Sequence, residues 1–262
     1  MELAVCTWNL FHGRSRPATH ADLASDFAAA LGQHPWDVCG LQEAPPWWTR
    51  ELAETLGASA RGVRTSLTRG ALPAAQEAVH RRSPETIGVR GAAANVLLVR
   101  PSAGEIVDHR VARLRRAPQR RTVHAVRLRR SDGEHWWVAN VHTHNRPESA
   151  AAADTIRALA AVERWAGAEP AVLLGDLNLS APQGLSRVHG WEHLHGHRVD
   201  HILGRGVGAG HRGGGLAVVS AGAAAIAGEG RHGNAYADVA RLPEGPELSD
   251  HRIVGLTVAR RY

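Results

Sequence analysis

The run Ala171-Val172-Leu173-Leu174-Gly175-Asp176-Leu177-Asn178-Leu179 decides how the chain is read. Its first four residues are apolar without interruption, the pattern of a buried strand. Gly175 closes the run, and a carboxylate and an amide follow two residues apart. In an extended chain that spacing puts Asp176 and Asn178 on the same side of the backbone. The sequence therefore predicts a core strand that delivers an acid and an amide into one cleft. A carboxylate there can orient or deprotonate water, and an amide can hydrogen-bond a phosphate oxygen.

Outward from this run, other predicted strands also end in polar groups. Residues 2–8 lead to Asn9, and 37–43 end in Glu43. Residues 135–142 carry Asn140 and His142, and 198–203 carry Asp200. Asp250 and His251 stand just before a closing strand at 253–259. Further strands are expected at 95–100, 104–112 and 122–128. Ser131-Asp132-Gly133-Glu134 joins 122–128 to 135–142 as a hairpin turn. Helical spacing marks 19–32 (Leu23, Phe27, Ala30, Leu31), 46–56 and 148–166 (Ile156, Leu159, Val162, Trp165). Residues 58–85 lack periodicity and read as loop, and 113–121 read as a basic connector. From 204 to 249 the chain holds twelve of its 28 glycines. That region reads as flexible loops with weak strands near 215–220 and 234–240.

The 262 residues are 44% hydrophobic, enough to bury a sizeable core, and one domain over 1–262 is expected. All 31 basic residues are Arg, the net charge is +6 and the pI is about 10.7. Such a balance favours an anionic partner, although a compositional bias of the genome would give the same count. Cys6 and Cys39 fall in predicted core strands. Two cysteines make no disulfide framework in a chain this long, and no zinc-ligand spacing is present. Reduced, buried thiols and a cytoplasmic location are expected. No leader is recognisable, and no apolar stretch approaches a membrane span.

The polar strand ends combine carboxylates, amides and imidazoles without thiols. Oxygen-rich sets of this kind suit Mg²⁺, Mn²⁺ or Ca²⁺ and disfavour structural zinc. Thr-Trp-Asn (7–9), Asp-Val-Cys-Gly-Leu-Gln-Glu (37–43), Asn-Val-His (140–142), Gly-Asp-Leu-Asn (175–178), Val-Asp-His-Ile (199–202) and Ser-Asp-His (249–251) occur in that order. In this combination the chain resembles the endonuclease/exonuclease/phosphatase superfamily over almost its whole length. The resemblance implies an α/β (α+β) four-layer sandwich, with two mixed sheets face to face and helices outside. It implies Glu43 as the main cation ligand with Asn9 beside it, and Asp250 as a second ligand or a neighbour of one. Asp176 is then the general base, tuned by Asn178. His251 stabilises the phosphate with Asp200 on its other ring nitrogen. His142 contacts phosphate or protonates the leaving group. Arg121, or Arg120 in its place, contacts phosphate, and Asn140 belongs to the same set.

The expected activity is Mg²⁺- or Mn²⁺-dependent hydrolysis of a phosphodiester by a monomer, with DNA or RNA the leading substrate. Two alternatives stand beside it. One is a phosphatase or phosphodiesterase of a small molecule or phospholipid headgroup. The other is a non-catalytic nucleic-acid binder that keeps the fold. His144 and His201 are expected at the surface or in loops. The eight Arg of 113–130 are expected on a solvated strand face, and the Trp pairs 47–48 and 136–137 in packing. Trp8, next to Asn9, is expected to be buried.

Overall fold

The computed structural model describes residues 2–19, 21–65, 73–82, 93–117, 119–182, 184, 190–210, 235–240 and 247–261. In chain order the elements are β1 (Glu2–Asn9), β2 (Ser15–Arg16), α1 (Ala24–Gly32), β3 (Val38–Ala44) and α2 (Trp48–Thr55). Then come β4 (Ser59–Arg64), α3 (Pro73–Arg82), β5 (Ala94–Val99), β6 (Glu105–Arg115), β7 (Arg121–Arg129) and β8 (His135–His142). The rest are α4 (Glu148–Ala166), β9 (Ala171–Asp176), β10 (Trp191–His197), β11 (Asp200–Arg205), β12 (Val207–Ala209), β13 (Ala235–Asp238), β14 (Glu247–Leu248) and β15 (Ile253–Arg260).

Two large mixed sheets result, beside a two-stranded pairing of β2 with β14. One runs β12-β15-β1-β3-β5-β4 with β13 also paired to β15, and the other runs β10-β11-β9-β8-β7-β6. The parallel pairs β1/β3 and β8/β9 need crossover connections, which α1 and α4 supply. Strand periodicity then sorts the side chains. Leu3, Val5, Val38, Leu97, Val126, Val138, Val172, Leu174, Ile202, Val254 and Leu256 form the core between the sheets. The opposite parity of β1 and β3 packs Cys6, Trp8, Cys39 and Leu41 against α1 and α2. The opposite parity of β8 and β9 packs Trp137, Ala139, Val141 and Leu173 against α4. The expected layering of helix, sheet, sheet and helix follows. Both cysteines are free and buried, as are Trp8, Trp48, Trp136 and Trp137. Among the described residues no helix is long and apolar enough to cross a membrane.

The local expectations need correction at three places. Residues 58–85 are not all loop, because β4 pairs along β5 and α3 follows. β4 is a largely exposed edge strand, so no apolar alternation announced it. Arg81 ties α3 down through Asp22 and Glu51, and pairs with Glu77 within the helix. β6 runs on to Arg115, which leaves a shorter connector than 113–121. β10, a half-buried His-rich edge strand without apolar alternation, and β12, only three residues long, were not expected. Residues 235–238 do form a strand, while 215–220 lie outside the described residues.

Candidate active site

The parity that buries valine and leucine between the sheets turns polar at one end of the strands. On β9, Asp176 shares the inward face of Val172 and Leu174; on β8, His142 shares that of Val138. Register aligns them, with His142 beside Asp176 in β8/β9 and Asp200 opposite Asp176 in β11/β9. Three polar side chains thus form one row across three neighbouring strands. Asn9, at the same end of β1, reaches that row from the facing sheet.

Asp176 is held on both oxygens. Its Oδ2 accepts from Asn9 Nδ2 at 3.0 Å, and its Oδ1 accepts from the Asn178 backbone N–H at 3.0 Å. His142 Nε2 lies 3.5 Å away and His251 Nε2 4.0 Å away. Burial raises the Asp176 carboxyl above its ordinary value, against the pull of His251, Asn9, the Asn178 amide and Arg121. On the far side of the ring, His251 Nδ1 faces Asp200 Oδ2 at 2.8 Å. Burial opposes the charge on His251, but Asp200, Asp176 and Asp250 outweigh it and raise the imidazole to about 9. Asp176, Asp200 and His251 offer ligand-type atoms within 4.8 Å of one another. The short His251–Asp200 contact makes this group a hydrogen-bonded chain.

Glu43 comes from a distortion. The β3/β5 register shifts between Leu41 and Ala44, and Glu43 has φ +50°. Such bulges turn a side chain away from its regular face. Glu43 Oε2 lies 3.0 Å from His12 Nε2, and Oε1 lies 3.9 Å from His142 Nδ1. Burial and the Asp176 charge raise Glu43 to about 7. Asp250 adds to that repulsion; its Oδ2 takes Arg16 at 2.6 Å, and its buried Oδ1 makes no hydrogen bond. Three carboxylates that repel one another, with an orphaned oxygen among them, fit a divalent cation.

Left-handed backbone concentrates here. Six non-glycine residues of the described chain have positive φ; Phe11, His12, Glu43, Asn178 and Ser249 border this cleft, and Arg198 lies in the turn two residues before Asp200. Strain of this kind collects at functional sites where the surroundings impose it. The surroundings are identifiable. Asn9 Oδ1 accepts from Phe11 N–H at 3.0 Å, and Ser249 Oγ donates to Asn9 O at 2.6 Å. Trp8 Nε1 donates to His251 O at 3.1 Å. Thr143 Oγ1 donates to Leu177 O at 2.5 Å, and Asn178 Nδ2 donates to Thr143 O at 3.3 Å. Gly175 has φ +146°, and a Cβ there would lie 1.9 Å from Val141 O. Only glycine lets β9 pass β8 this closely.

One expected member is absent from the cleft. Asn140 lies one step deeper on the face of His142 and is fully buried between the sheets. Its Nδ2 donates to Leu41 O at 2.9 Å and Val96 O at 2.8 Å, and its Oδ1 accepts from Gln42 Nε2 at 2.7 Å. These bonds commit the amide to cross-linking the sheets, so the phosphate contact expected of it is withdrawn. Gly40 leaves the room, since a Cβ there would meet Leu174 at 2.0 Å and Asn140 at 3.1 Å. Arg121 is buried, and Asp176 and Glu43 both feel its charge; it also donates to Gln119 Oε1 at 2.7 Å.

Other residues escaped the sequence reading. His12 follows Asn9 by only three positions, the one signal that could have drawn attention to it. His144 lies in the loop after β8, as expected, but is buried, and His201 is buried within β11. His201 Nε2 lies 2.7 Å from Leu179 O and its Nδ1 3.0 Å from His193 Nε2, which ties the loop after Asp176 to β10. The Arg of 113–130 are only partly a solvated face. Arg121 and Arg130 are buried, while Arg127 and Arg129 pair with Glu169 and Glu105.

Comparison with known proteins agrees with this architecture. The model of the Endonuclease/Exonuclease/phosphatase family matches residues 6–251. No curated protein sequence matches. Among solved structures, an endonuclease/exonuclease/phosphatase from Bacteroides vulgatus superposes with a TM-score of 0.68 at 14% identity, covering 100% of both chains. A humanized D. rerio TDP2 gives 0.63 at 14% identity, covering 98% of this chain and 99% of that one. A Bacteroides thetaiotaomicron mannosyl-6-phosphatase gives 0.62 at 14% identity, with the same two coverages. At such identities the structural likeness speaks for the fold, and the sequence match over nearly the whole length speaks for the lineage: the chain belongs to the endonuclease/exonuclease/phosphatase family.

Proposed function

We propose that the protein is a divalent-cation-dependent phosphoesterase that hydrolyses a phosphodiester by attack of water activated at Asp176. The observation that carries this reading is the fixed, buried Asp176 carboxylate between Asn9 and the Asn178 amide, with two imidazoles within 4.0 Å. A buried carboxylate with a raised pKa is a stronger base than a free one. Asn9 and Asn178 hold it in a single orientation, so the water it deprotonates approaches phosphorus from a defined side.

His251, with Nδ1 turned to Asp200, keeps Nε2 on the Asp176 side, where it donates to a non-bridging phosphate oxygen. Burial and the neighbouring Arg121, His251 and His12 hold His142 well below the usual imidazole range. That favours a neutral donor to phosphate over a general acid. Arg121 supplies a fixed positive charge beside the same oxygens. Glu43, with Asp250 nearby, would hold Mg²⁺ or Mn²⁺, which neutralises the phosphate and stabilises charge on the leaving oxygen.

Nucleic acid is the favoured substrate. Its support is the all-Arg basic balance and the buried Arg121 at the cleft. A solved structure of D. rerio TDP2 is complexed with a single-strand DNA product. The mannosyl-6-phosphatase neighbour makes a phosphorylated small molecule the second reading. The test is a screen with Mg²⁺ or Mn²⁺ over plasmid DNA, an abasic duplex, bis-p-nitrophenyl phosphate and sugar phosphates, with Asp176→Ala as control. Turnover that Asp176→Ala abolishes supports the proposal. No turnover of any substrate, or undiminished turnover by Asp176→Ala, overturns it. Tight, salt-dependent DNA binding without turnover would identify a binding protein instead.

A further inference from the structure

The cation reading leaves one side chain unexplained. His12 sits against the carboxylate assigned to the cation, with Nε2 at 3.0 Å from Glu43 Oε2. It holds that position at φ +59°, in a short 3₁₀ turn that directly follows β1. Left-handed backbone is uncommon for a residue other than glycine, and the turn is built to impose it here. Phe11 N–H is anchored on Asn9 Oδ1, and Gly13 N–H on Leu10 O at 2.8 Å. Gly13 has φ +75° and lies so close to Trp48 that a Cβ would stand 2.5 Å from its ring. Glu43, the partner, is itself turned by the bulge in β3. Two distortions in separate segments thus bring one imidazole and one carboxylate together. Asn9, expected beside Glu43, instead spends its amide on Asp176 and Phe11.

We propose that His12 supplies a nitrogen ligand to the cation held by Glu43, which makes the site selective for Mn²⁺ over Mg²⁺. This rests on Glu43 as the cation ligand. All-oxygen sets suit Mg²⁺ and Mn²⁺ alike, whereas an added imidazole nitrogen favours a first-row transition ion such as Mn²⁺ over Mg²⁺. Mn²⁺ binding takes the neutral imidazole, whose Nε2 lone pair bonds the ion, and no covalent bond of the protein changes.

The test reads the ion directly. Mn²⁺ is added to the purified protein and to the Glu43→Gln, His12→Asn and His142→Asn variants. Affinity is measured by calorimetry with Mg²⁺ as competitor, and nitrogen coupling to bound Mn²⁺ by pulsed electron paramagnetic resonance. Asn tolerates the left-handed backbone at position 12 and offers an oxygen in place of the nitrogen. Histidine labelled with ¹⁵N identifies the coupled nitrogen as imidazole in the unmutated protein, so that measurement does not depend on His12→Asn folding.

The expected result is ¹⁵N-sensitive coupling in the wild type that persists in His142→Asn and is lost in His12→Asn. The Mn²⁺-to-Mg²⁺ affinity ratio should fall about 10–100-fold in His12→Asn. Bound Mn²⁺ without imidazole coupling overturns the proposal and leaves the cation reading intact. So does coupling that His142→Asn abolishes, since His142 Nδ1 lies 3.9 Å from the other Glu43 oxygen. Mn²⁺ that fails to bind the wild type, or binds Glu43→Gln equally well, removes the cation reading and this inference with it.

Discussion

Asn9 Nδ2 donates to Asp176 Oδ2 at 3.0 Å, so a residue of β1 in one sheet sets the orientation of the proposed base in the other. The bond crosses the gap between the sheets at the open end of their shared core. Asn9→Ala removes it and frees the Asp176 carboxylate on one side. The expected outcome is a kcat/KM about 10–100-fold lower, with the thermal midpoint nearly unchanged. Steady-state kinetics on bis-p-nitrophenyl phosphate, with calorimetric melting as the companion measurement, checks it. Wild-type kinetics would show that Asn178 alone suffices.

Asp200 and His251 form the second relationship that catalysis depends on, at 2.8 Å. Asp200→Asn keeps the shape and removes the charge that favours imidazolium. A loss of at least about 10²-fold in kcat, with little change in substrate affinity, is expected. Single-turnover rates separate the chemical step from binding. An equal loss in Asp200→Asn and in the double variant with His251→Ala would show that the two act as one unit.

Asn140 is expected to matter for stability. Its three hydrogen bonds join β8 to β3 and β5 across the core. Asn140→Leu removes the acceptor of one Gln42 bond and the donor to two backbone carbonyls, and leaves Gln42 only Thr7 and Gly40, at a cost of about 3–5 kcal/mol. Urea unfolding should show a lower midpoint with an unchanged slope, while the folded fraction keeps its kcat. A stable but inactive Asn140→Leu protein would return this residue to the active site.

His124 makes one separable contribution to the pH dependence of stability. It is buried on β7 with Nδ1 3.2 Å from His109 Nε2, and burial, reinforced by His109, lowers its pKa from 6.5 to about 3. The unfolded chain therefore binds a proton that the folded chain refuses. The contribution of the neutral ring is complete above about pH 6.5 and is lost as pH falls toward 3, at up to about 1.4 kcal/mol per pH unit. Urea midpoints from pH 7 to 4 should fall more steeply for the wild type than for His124→Leu. Parallel slopes would refute this origin.

Much of the fold was legible because strand parity is local. Val172 and Leu174 against Leu173, and Val138 against Trp137 and Ala139, already sort two faces without any partner in view. The elements that stayed hidden, β4 and β10, are edge strands whose order comes from hydrogen bonds to a neighbour. Asp176, Asp200, His142 and His251 were legible for a related reason. Their polar side chains fall where an apolar parity ends.

Depth and distortion were not legible. Asn140 and His142 share a face two residues apart, yet one is sealed between the sheets and the other borders the cleft. Nothing in Leu41-Gln42-Glu43 announces the bulge that turns Glu43 toward His12. The sequence by itself determined which strands carry acid, amide and imidazole at their ends, because backbone geometry alternates side chains with a period of two. Only the tertiary structure decided which of those ends meet. Register between strands, the facing of the two sheets and the strained turns depend on contacts between residues as far apart as Asn9 and Asp176.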